Sequence, residues 1–276
     1  MRRFITAVLA AICLISCASR AGESYFFVHM TDPQMGFREK DGIGQSVQYL
    51  AETVEAINRI RPAFVLVTGD MLNNWNSEEQ WEAYDSLMTR IDKDIPVYTV
   101  PGNHDYRALK EADSVEKYFE HWGYDRIAFT HGGDFYLGFN TNIIKDDQIT
   151  EEAEQYGWMV SQLKKHARRA RHVIIFGHCP IIKTDVDEKP DYFNFQEPYR
   201  TKYLELCKEY GVELALYGHF HRTRTVLYEG TQHVTCTASG NALGDGMSGA
   251  FNIVTVRPDT LEFNIVRTTE AVAPAL

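Results

Sequence analysis

The stretch that most constrains this chain is Val65-Leu66-Val67-Thr68-Gly69-Asp70. A short β-branched and aliphatic run bounded by glycine reads as a buried strand, the kind found in a parallel sheet core. Glycine lets the backbone turn sharply at the strand's carboxyl end. Asp70 is then delivered to the edge where open α/β sheets bind ligands. The same grammar recurs four more times: residues 26–31 run into Asp32-Pro33-Gln34, 97–101 into Gly102-Asn103-His104-Asp105, 173–176 into Gly177-His178, and 214–217 into Gly218-His219-Phe220-His221. A single Asp or His after a strand is commonly a cap or a turn residue. Five strands that deliver carboxylates, amides and imidazoles to one edge form a constellation, and the constellation reads as a two-metal hydrolase site.

The segments between these strands suit such a sheet. Val47, Leu50, Ala51, Val54 and Ile57 recur at helical spacing and predict a helix that stops at Pro62. Ser77 with Gln80 reads as a capping box opening a helix with Trp81, Tyr84, Leu87 or Met88, and Ile91 on one face. Strand–helix–strand–helix–strand order implies crossovers and a parallel sheet. Further on, the pattern predicts a helix at 114–122, a hairpin around His131-Gly132-Gly133-Asp134, a helix at 150–167 capped by Thr150, an aperiodic loop at 181–198 and a helix at 199–210. Strand-like runs at 223–228, 231–237, 250–256 and 261–267 close the chain. A βαβ half followed by a β-rich half predicts two sheets packed face to face with helices outside. No composition shift divides residues 24–276 into two domains.

The N-terminus is an export signal rather than fold. Arg2 and Arg3 precede an apolar stretch from Phe4 to Ile15, too short to span a bilayer. It ends Leu14-Ile15-Ser16-Cys17, which resembles the lipobox of bacterial lipoproteins. That resemblance implies a signal peptide over 1–16, a lipidated Cys17 and a tether over 17–23, hence a protein of the bacterial cell envelope held to the membrane by its anchor alone. The alternative is an ordinary secreted protein cut nearby. Loss of Arg2 and Arg3 with the leader moves the formal charge from −10 to −12, which argues against nucleic acid as a partner. Three cysteines remain in the domain, Cys179, Cys207 and Cys236, too few for a disulfide framework.

Asp-x-Gln, Gly-Asp, Gly-Asn-His-Asp, Gly-His and Gly-His-x-His, in this order, resemble the calcineurin-like metallophosphoesterases, over nearly everything after residue 24. The Asp-Pro-Gln variant, Tyr192-Phe193-Asn194 and the Gly-His-Phe-His-Arg ending look closest to the branch with serine/threonine phosphatase activity. The resemblance implies an α/β fold, a four-layer α/β/β/α sandwich of two mixed sheets. It also implies a ligand set: Asp32, Gln34 and His221 for one metal, Asn103, His178 and His219 for the other, and Asp70 bridging, with a metal-bridging hydroxide attacking phosphorus. His104 resembles the family's general acid, with Asp105 orienting its imidazole. The physical reading agrees. Phosphate ester hydrolysis needs a strong nucleophile near neutral pH and an offset for charge on the phosphoryl oxygens, and two divalent cations ~3.5–4 Å apart supply both. Carboxylate, amide and imidazole donors suit Mn, Fe, Zn or Mg.

Two positions depart from the family pattern. Gln34 stands where most members have His, so the first site is expected to hold its metal more weakly and to favour harder ions. Asn73 stands where purple acid phosphatases have Tyr, so no tyrosinate–iron colour is expected. Tyr192 and Asn194 are candidates to line the substrate cleft from the long loop, against the alternative of a self-packed surface loop. Arg222 either meets a phosphate or pairs with an acidic neighbour, and His29 reads as a core histidine. The expected partner is a phosphorylated substrate. A phosphodiesterase and a non-catalytic metal-binding lipoprotein remain the rival readings.

The lipobox generates a direct test. Two acyl chains are what stable anchoring requires. Cys17→Ser should therefore move the protein from the membrane fraction to the soluble one, or stall its processing, with unchanged activity per folded molecule. Mass spectrometry of the mature N-terminus decides the matter: an unmodified terminus beyond residue 17 excludes the anchor.

Overall fold

In the computed structural model, residues 22–107 and 111–276 are described. The leader, Cys17 and the tether before Gly22 lie outside those residues. The first strand, β1 (Tyr25–Met30), is buried at every position, so it needs partners on both edges and cover on both faces. One edge is supplied by its own βαβ run. α1 (Gly44–Ile60) leads to β2 (Val65–Thr68), and α2 (Glu78–Met88) leads to β3 (Val97–Val100). β1, β2 and β3 pair in parallel, as the strand–helix alternation predicts.

The other edge of β1 is supplied from the far end of the chain. β10 (Ala250–Val256) is buried throughout and pairs antiparallel with β1, Tyr25 opposite Val256. β11 (Leu261–Arg267) covers β10 with a half-exposed outer strand, giving the order β11-β10-β1-β2-β3. The second sheet takes β4 (Ile127–His131), β5 (Asp134–Gly138), β6 (Val173–Phe176), β7 (Leu214–Tyr217), β8 (Arg224–Tyr228) and β9 (Thr231–Thr235), in the order β4-β5-β6-β7-β9-β8. The two halves expected from the sequence are thus interleaved: the last four strands split between the sheets, because β1 demands a second partner. Both sheets are mixed.

Three cores define the layers. Phe27, Leu66, Tyr136, Phe176, Leu216 and Val254 pack between the sheets. Val28, Val65 and Val67 of the first sheet meet Leu50, Ile57 and Trp81 of α1 and α2. Val173 and Ile175 of the second meet Met159 and Leu163 of α5 (Ile149–His166) and Tyr203 and Cys207 of α6 (Tyr199–Tyr210). The result is helix, sheet, sheet, helix.

Local details refine the sequence reading. Ser77 caps α2 by accepting from the Gln80 amide, but the Gln80 carboxamide oxygen accepts from Asn73 and Asn74 at 3.1 and 2.8 Å. Half of the capping box therefore steadies the loop after β2 instead. Thr150 lies inside α5, which begins at Ile149 without a side-chain cap. α3 (Ala112–Trp122) runs close to the expected span, and the single turn α4 (Asn142–Lys145) was too short to show a period. Gly132 and Gly133 both take positive φ, 62° and 94°, as a tight two-residue hairpin turn requires.

At the end of β1 away from the ligand edge, a polar bridge joins the sheets. The Tyr25 hydroxyl donates to Asp134 Oδ2 at 2.7 Å and lies 2.6 Å from the Tyr136 hydroxyl. Arg171 donates twice to the same carboxylate, at 3.0 and 2.6 Å. Asp134 is fully buried, so its removal strands a guanidinium and a phenol. Asp134→Ala should cost about 3–5 kcal/mol, read as a lower urea midpoint at unchanged slope. A loss under about 1 kcal/mol, the level of an ordinary surface pair, would show that the bridge does not hold the sheets.

Candidate metal centre

The carboxyl ends of β1, β2 and β3 deliver Asp32, Gln34, Asp70 and Asn103 from one sheet; those of β6 and β7 deliver His178, His219 and His221 from the other. Carboxylates and amides therefore come from the first sheet and imidazoles from the second, and they meet at the seam. Asp70, His178 and His219 offer ligand atoms within 4.8 Å of one another, and so do Asp32, Asp70 and His221. Asp70 belongs to both groups, and all five residues are buried. Asn103 Oδ1 lies 3.2 Å from His178 Nε2. Gln34 is buried too, and its Oε1 has no hydrogen-bond partner among the described residues. An unpartnered buried amide oxygen on the loop that carries Asp32 is a donor suited to a hard cation.

Main-chain carbonyls prepare the imidazoles. His178 Nδ1 donates to Thr68 O at 2.8 Å, His219 Nε2 to Tyr192 O at 3.0 Å, and His221 Nδ1 to Asn241 O at 2.9 Å. A carbonyl only accepts, so each ring keeps its proton there and leaves its other nitrogen free. His178 Nε2 lies 3.3 Å from Asp70 Oδ2, and His221 Nε2 lies 3.2 Å from Asp32 Oδ1.

The backbone is bent to reach this arrangement. Asp32, Gln34, Asp70, His219 and His221 all have positive φ, between 38° and 64°, which non-glycine residues adopt rarely and at a cost. The ladder of the first sheet continues past the strands to hold them: Asp32 N donates to Gly69 O at 3.1 Å and Gln34 N to Asp70 O at 2.9 Å. Gly102 is required by proximity, since a Cβ there would overlap the Asp70 carboxylate.

Charge follows the same logic. Burial alone would raise the pKa of Asp70, yet His178 and then His104 hold it below the usual carboxylate range. Burial alone would lower that of His178, but the Asp70 carboxylate outweighs it and pushes the imidazole up to about 9. His219, buried and next to His178, falls to about 3. The carboxylates thus favour positive charge on His178, while burial beside it disfavours positive charge on His219.

The remaining candidates divide. His104 donates its amide to Asp70 Oδ1 at 2.8 Å, and its Nδ1 sits 2.7 Å from Asn73 O. Asp105 does not orient that ring, contrary to the sequence reading. Its carboxylate is buried and accepts from the amides of Gly102, Met71 and Leu72 at 2.9–3.2 Å, tying the loops after β2 and β3 together. A cleft of about 220 Å³ opens beside Asn103 and His219, lined by Tyr192 and also by Arg107, Asn142 and Lys145, which were not singled out. Asn194 turns inward instead, bonding Asp191 N, Lys189 O and Glu188 within its own loop. Arg222 pairs with Asp245 at 2.9 Å over the Phe220 ring and does not line the cleft. His29 is buried with Nε2 2.9 Å from the Thr68 hydroxyl, a core histidine with Nδ1 unpartnered among the described residues.

Two buried donor groups that share one carboxylate, at the carboxyl edges of two facing sheets, define a metal-dependent hydrolase. Residues 27–223 match the calcineurin-like phosphoesterase family, and the chain belongs to it. It is 28% identical over 246 residues to the serine/threonine-protein phosphatase CPPED1 of Rattus norvegicus, covering 82% of this chain and 78% of that one. It is 29% identical over 249 residues to CPPED1 of Danio rerio, covering 83% and 81%. Among solved structures it resembles the purple acid phosphatase PPD1 of yellow lupin (Lupinus luteus) seeds, with a TM-score of 0.69 at 16% identity over 92% of this chain. The chain spans 53% of that larger protein.

The sharing of Asp70 is testable by titration. Asp70→Asn should weaken both ions in calorimetry with Mn²⁺ and abolish turnover, while Asn103→Ala weakens one ion only. An Asp70→Asn variant that loses a single ion would show that the carboxylate is not shared.

Proposed function

We propose that this chain is a phosphatase that cleaves phosphomonoesters with two divalent ions, Mn, Fe, Zn or Mg. The observation that carries the reading is Asp70, buried and common to both donor groups. Asp32, Gln34 and His221 would hold one ion, Asn103, His178 and His219 the other, and Asp70 both. When bound, such a pair activates water and offsets the charge that builds on the phosphoryl oxygens.

The chain's own residues do the rest. With His104 Nδ1 committed to the Asn73 carbonyl, Nε2 is the nitrogen left to hand a proton to the departing oxygen. Asp105 keeps the loop that carries Asn103 and His104 against the loop that carries Asp70. Among the described residues, Arg107, Lys145 and Asp146 are the charged side chains lining the cleft, a net positive balance that suits the additional negative charge of a monoester. The names of the CPPED1 relatives support phosphoserine and phosphothreonine peptides as the first substrates to assay. We place the enzyme outside the cytoplasm, anchored through Cys17 in the bacterial envelope, on the strength of the leader and the lipobox. Its acidic balance makes nucleic acid a poor partner.

The decisive experiment compares phosphomonoesters with phosphodiesters on Mn²⁺-loaded protein. Faster turnover of diesters would replace phosphatase by phosphodiesterase, and no turnover of either would leave a binding protein. In the same assay, His104→Ala should cost ~10²–10⁴-fold on an alkyl phosphate, whose leaving oxygen needs a proton, and much less on an activated aryl phosphate. Equal losses would assign His104 to phosphate positioning.

A further inference from the structure

One residue of the loop at 181–198 reaches two ligands of the same proposed ion. The Tyr192 hydroxyl accepts from Asn103 Nδ2 at 2.9 Å. Its main-chain oxygen accepts from His219 Nε2 at 3.0 Å, and its ring lies 4.7 Å from that imidazole, centroid to centroid. Core packing does not dictate this placement, since Tyr192 is 59% exposed.

Each contact settles an ambiguity that metal binding needs settled. A carboxamide ligates a hard cation through oxygen only, and its two ends differ little in shape, so hydrogen-bond partners decide which end faces inward. With Nδ2 bound to the phenol oxygen, Asn103 Oδ1 is turned toward His178. A neutral imidazole likewise has two tautomers. Donation to the Tyr192 carbonyl fixes the proton of His219 on Nε2 and frees Nδ1.

The loop that presents Tyr192 is itself fixed. Lys145 Nζ donates to Asp191 O and Asn194 O, at 2.8 and 2.5 Å, bracketing the tyrosine. Asn194 Oδ1 accepts from Asp191 N at 2.7 Å, and the Phe193 ring packs against Phe220 at 5.2 Å. Among the described residues, the loop makes no hydrogen bond to Asp32, Gln34 or His221, and the ring of His221 is held by Asn241 instead.

We propose that Tyr192 is the positioning residue for one ion of the pair: its hydroxyl sets the amide of Asn103 and its carbonyl sets the tautomer of His219, so the loop at 181–198 governs the affinity of that ion and leaves its neighbour untouched. The assignment rests on the two-ion reading above. It concerns occupancy, which is measured without any substrate.

The test titrates metal-stripped full-length protein with Co²⁺ and follows the ligand-field absorbance of each binding step. Tyr192→Phe should weaken one step by ~10–100-fold, the usual cost of losing an outer partner of a metal ligand, with the other step and the thermal midpoint unchanged. Asn103→Asp supplies the discriminating background. A carboxylate has two equivalent oxygens and no end to choose, so adding Tyr192→Phe to it should change affinity several-fold less. No change at either step, equal weakening of both, or full additivity in the Asn103→Asp background overturns the assignment. A wild-type chain that takes up only one Co²⁺ overturns the two-ion reading and the assignment with it.

Discussion

Everything at this site depends on two carboxylates, Asp32 and Asp70, buried side by side in one protein interior. Neither is solvated, and each raises the energy of the other. Such a pair is tolerable only where positive charge faces it. The second sheet supplies most of that partner as imidazoles, and the first sheet's own loop after β3 adds His104. Docking of the sheets through Phe27, Leu66, Phe176 and Leu216 is therefore also the assembly of the site. The polar bridge from Tyr25 to Asp134 fixes the opposite end of the same interface. Fold and chemistry share one contact surface.

The same demand explains the strained backbone. Five residues of the candidate ligand set sit at positive φ, and each costs on the order of 1–3 kcal/mol. The surroundings over-determine them. Thr31 donates to Asp32 Oδ2 at 2.8 Å, the His219 amide donates to the same oxygen at 3.0 Å, and Ser239 N and Oγ both reach Thr31 O at 2.8 Å. The segment after β9 thus braces the loop after β1, although about two hundred residues separate them. A strained turn so held presents its side chain without waiting for the ligand to organise it, which is the useful property at a catalytic centre.

Much of this was legible in the sequence because strand-end chemistry is local. An apolar run, a glycine and a polar residue occupy a handful of adjacent positions, so Asp32, Asp70, His178, His219 and His221 could be read without tertiary information. What was hidden is non-local or carried by the main chain. The carbonyls of Thr68, Tyr192 and Asn241 that fix the imidazoles have no sequence signature. Asp105 was read into the site because it follows His104 and Asn194 because long loops are often functional, whereas the one binds backbone amides and the other its own loop, the self-packed alternative. Asn142 was missed although β5 ends at the same edge as its neighbours, because no Gly-polar step follows Phe139. The split of the final strands was likewise unreadable, since which edge a hairpin covers is decided by an unsatisfied neighbour far away.

The donor sets are unequal, and the inequality has a consequence for how the pair of ions is held. On the proposed assignment, one group offers Asp32, Gln34, Asp70 and a single imidazole, His221; the other offers Asn103, Asp70 and two imidazoles, His178 and His219. Imidazole binds borderline ions such as Zn²⁺ and Fe²⁺ more strongly than an amide oxygen does, while oxygen-rich sets suit Mg²⁺ and Mn²⁺. Gln34 occupies the position where a second imidazole in the first group would have evened the pair. On that assignment the two groups would differ in hardness as well as in place. The softer group is the one gripped by the loop at 181–198, through Asn103 and His219. The harder group is gripped by the strained turns after β1 and β7 and by Asn241 and Ser239 of the segment after β9. Loss of the loop's grip and a change in metal supply should thus act on different halves of one centre, because the single residue common to both halves, Asp70, is held by the sheet edge and not by the loop.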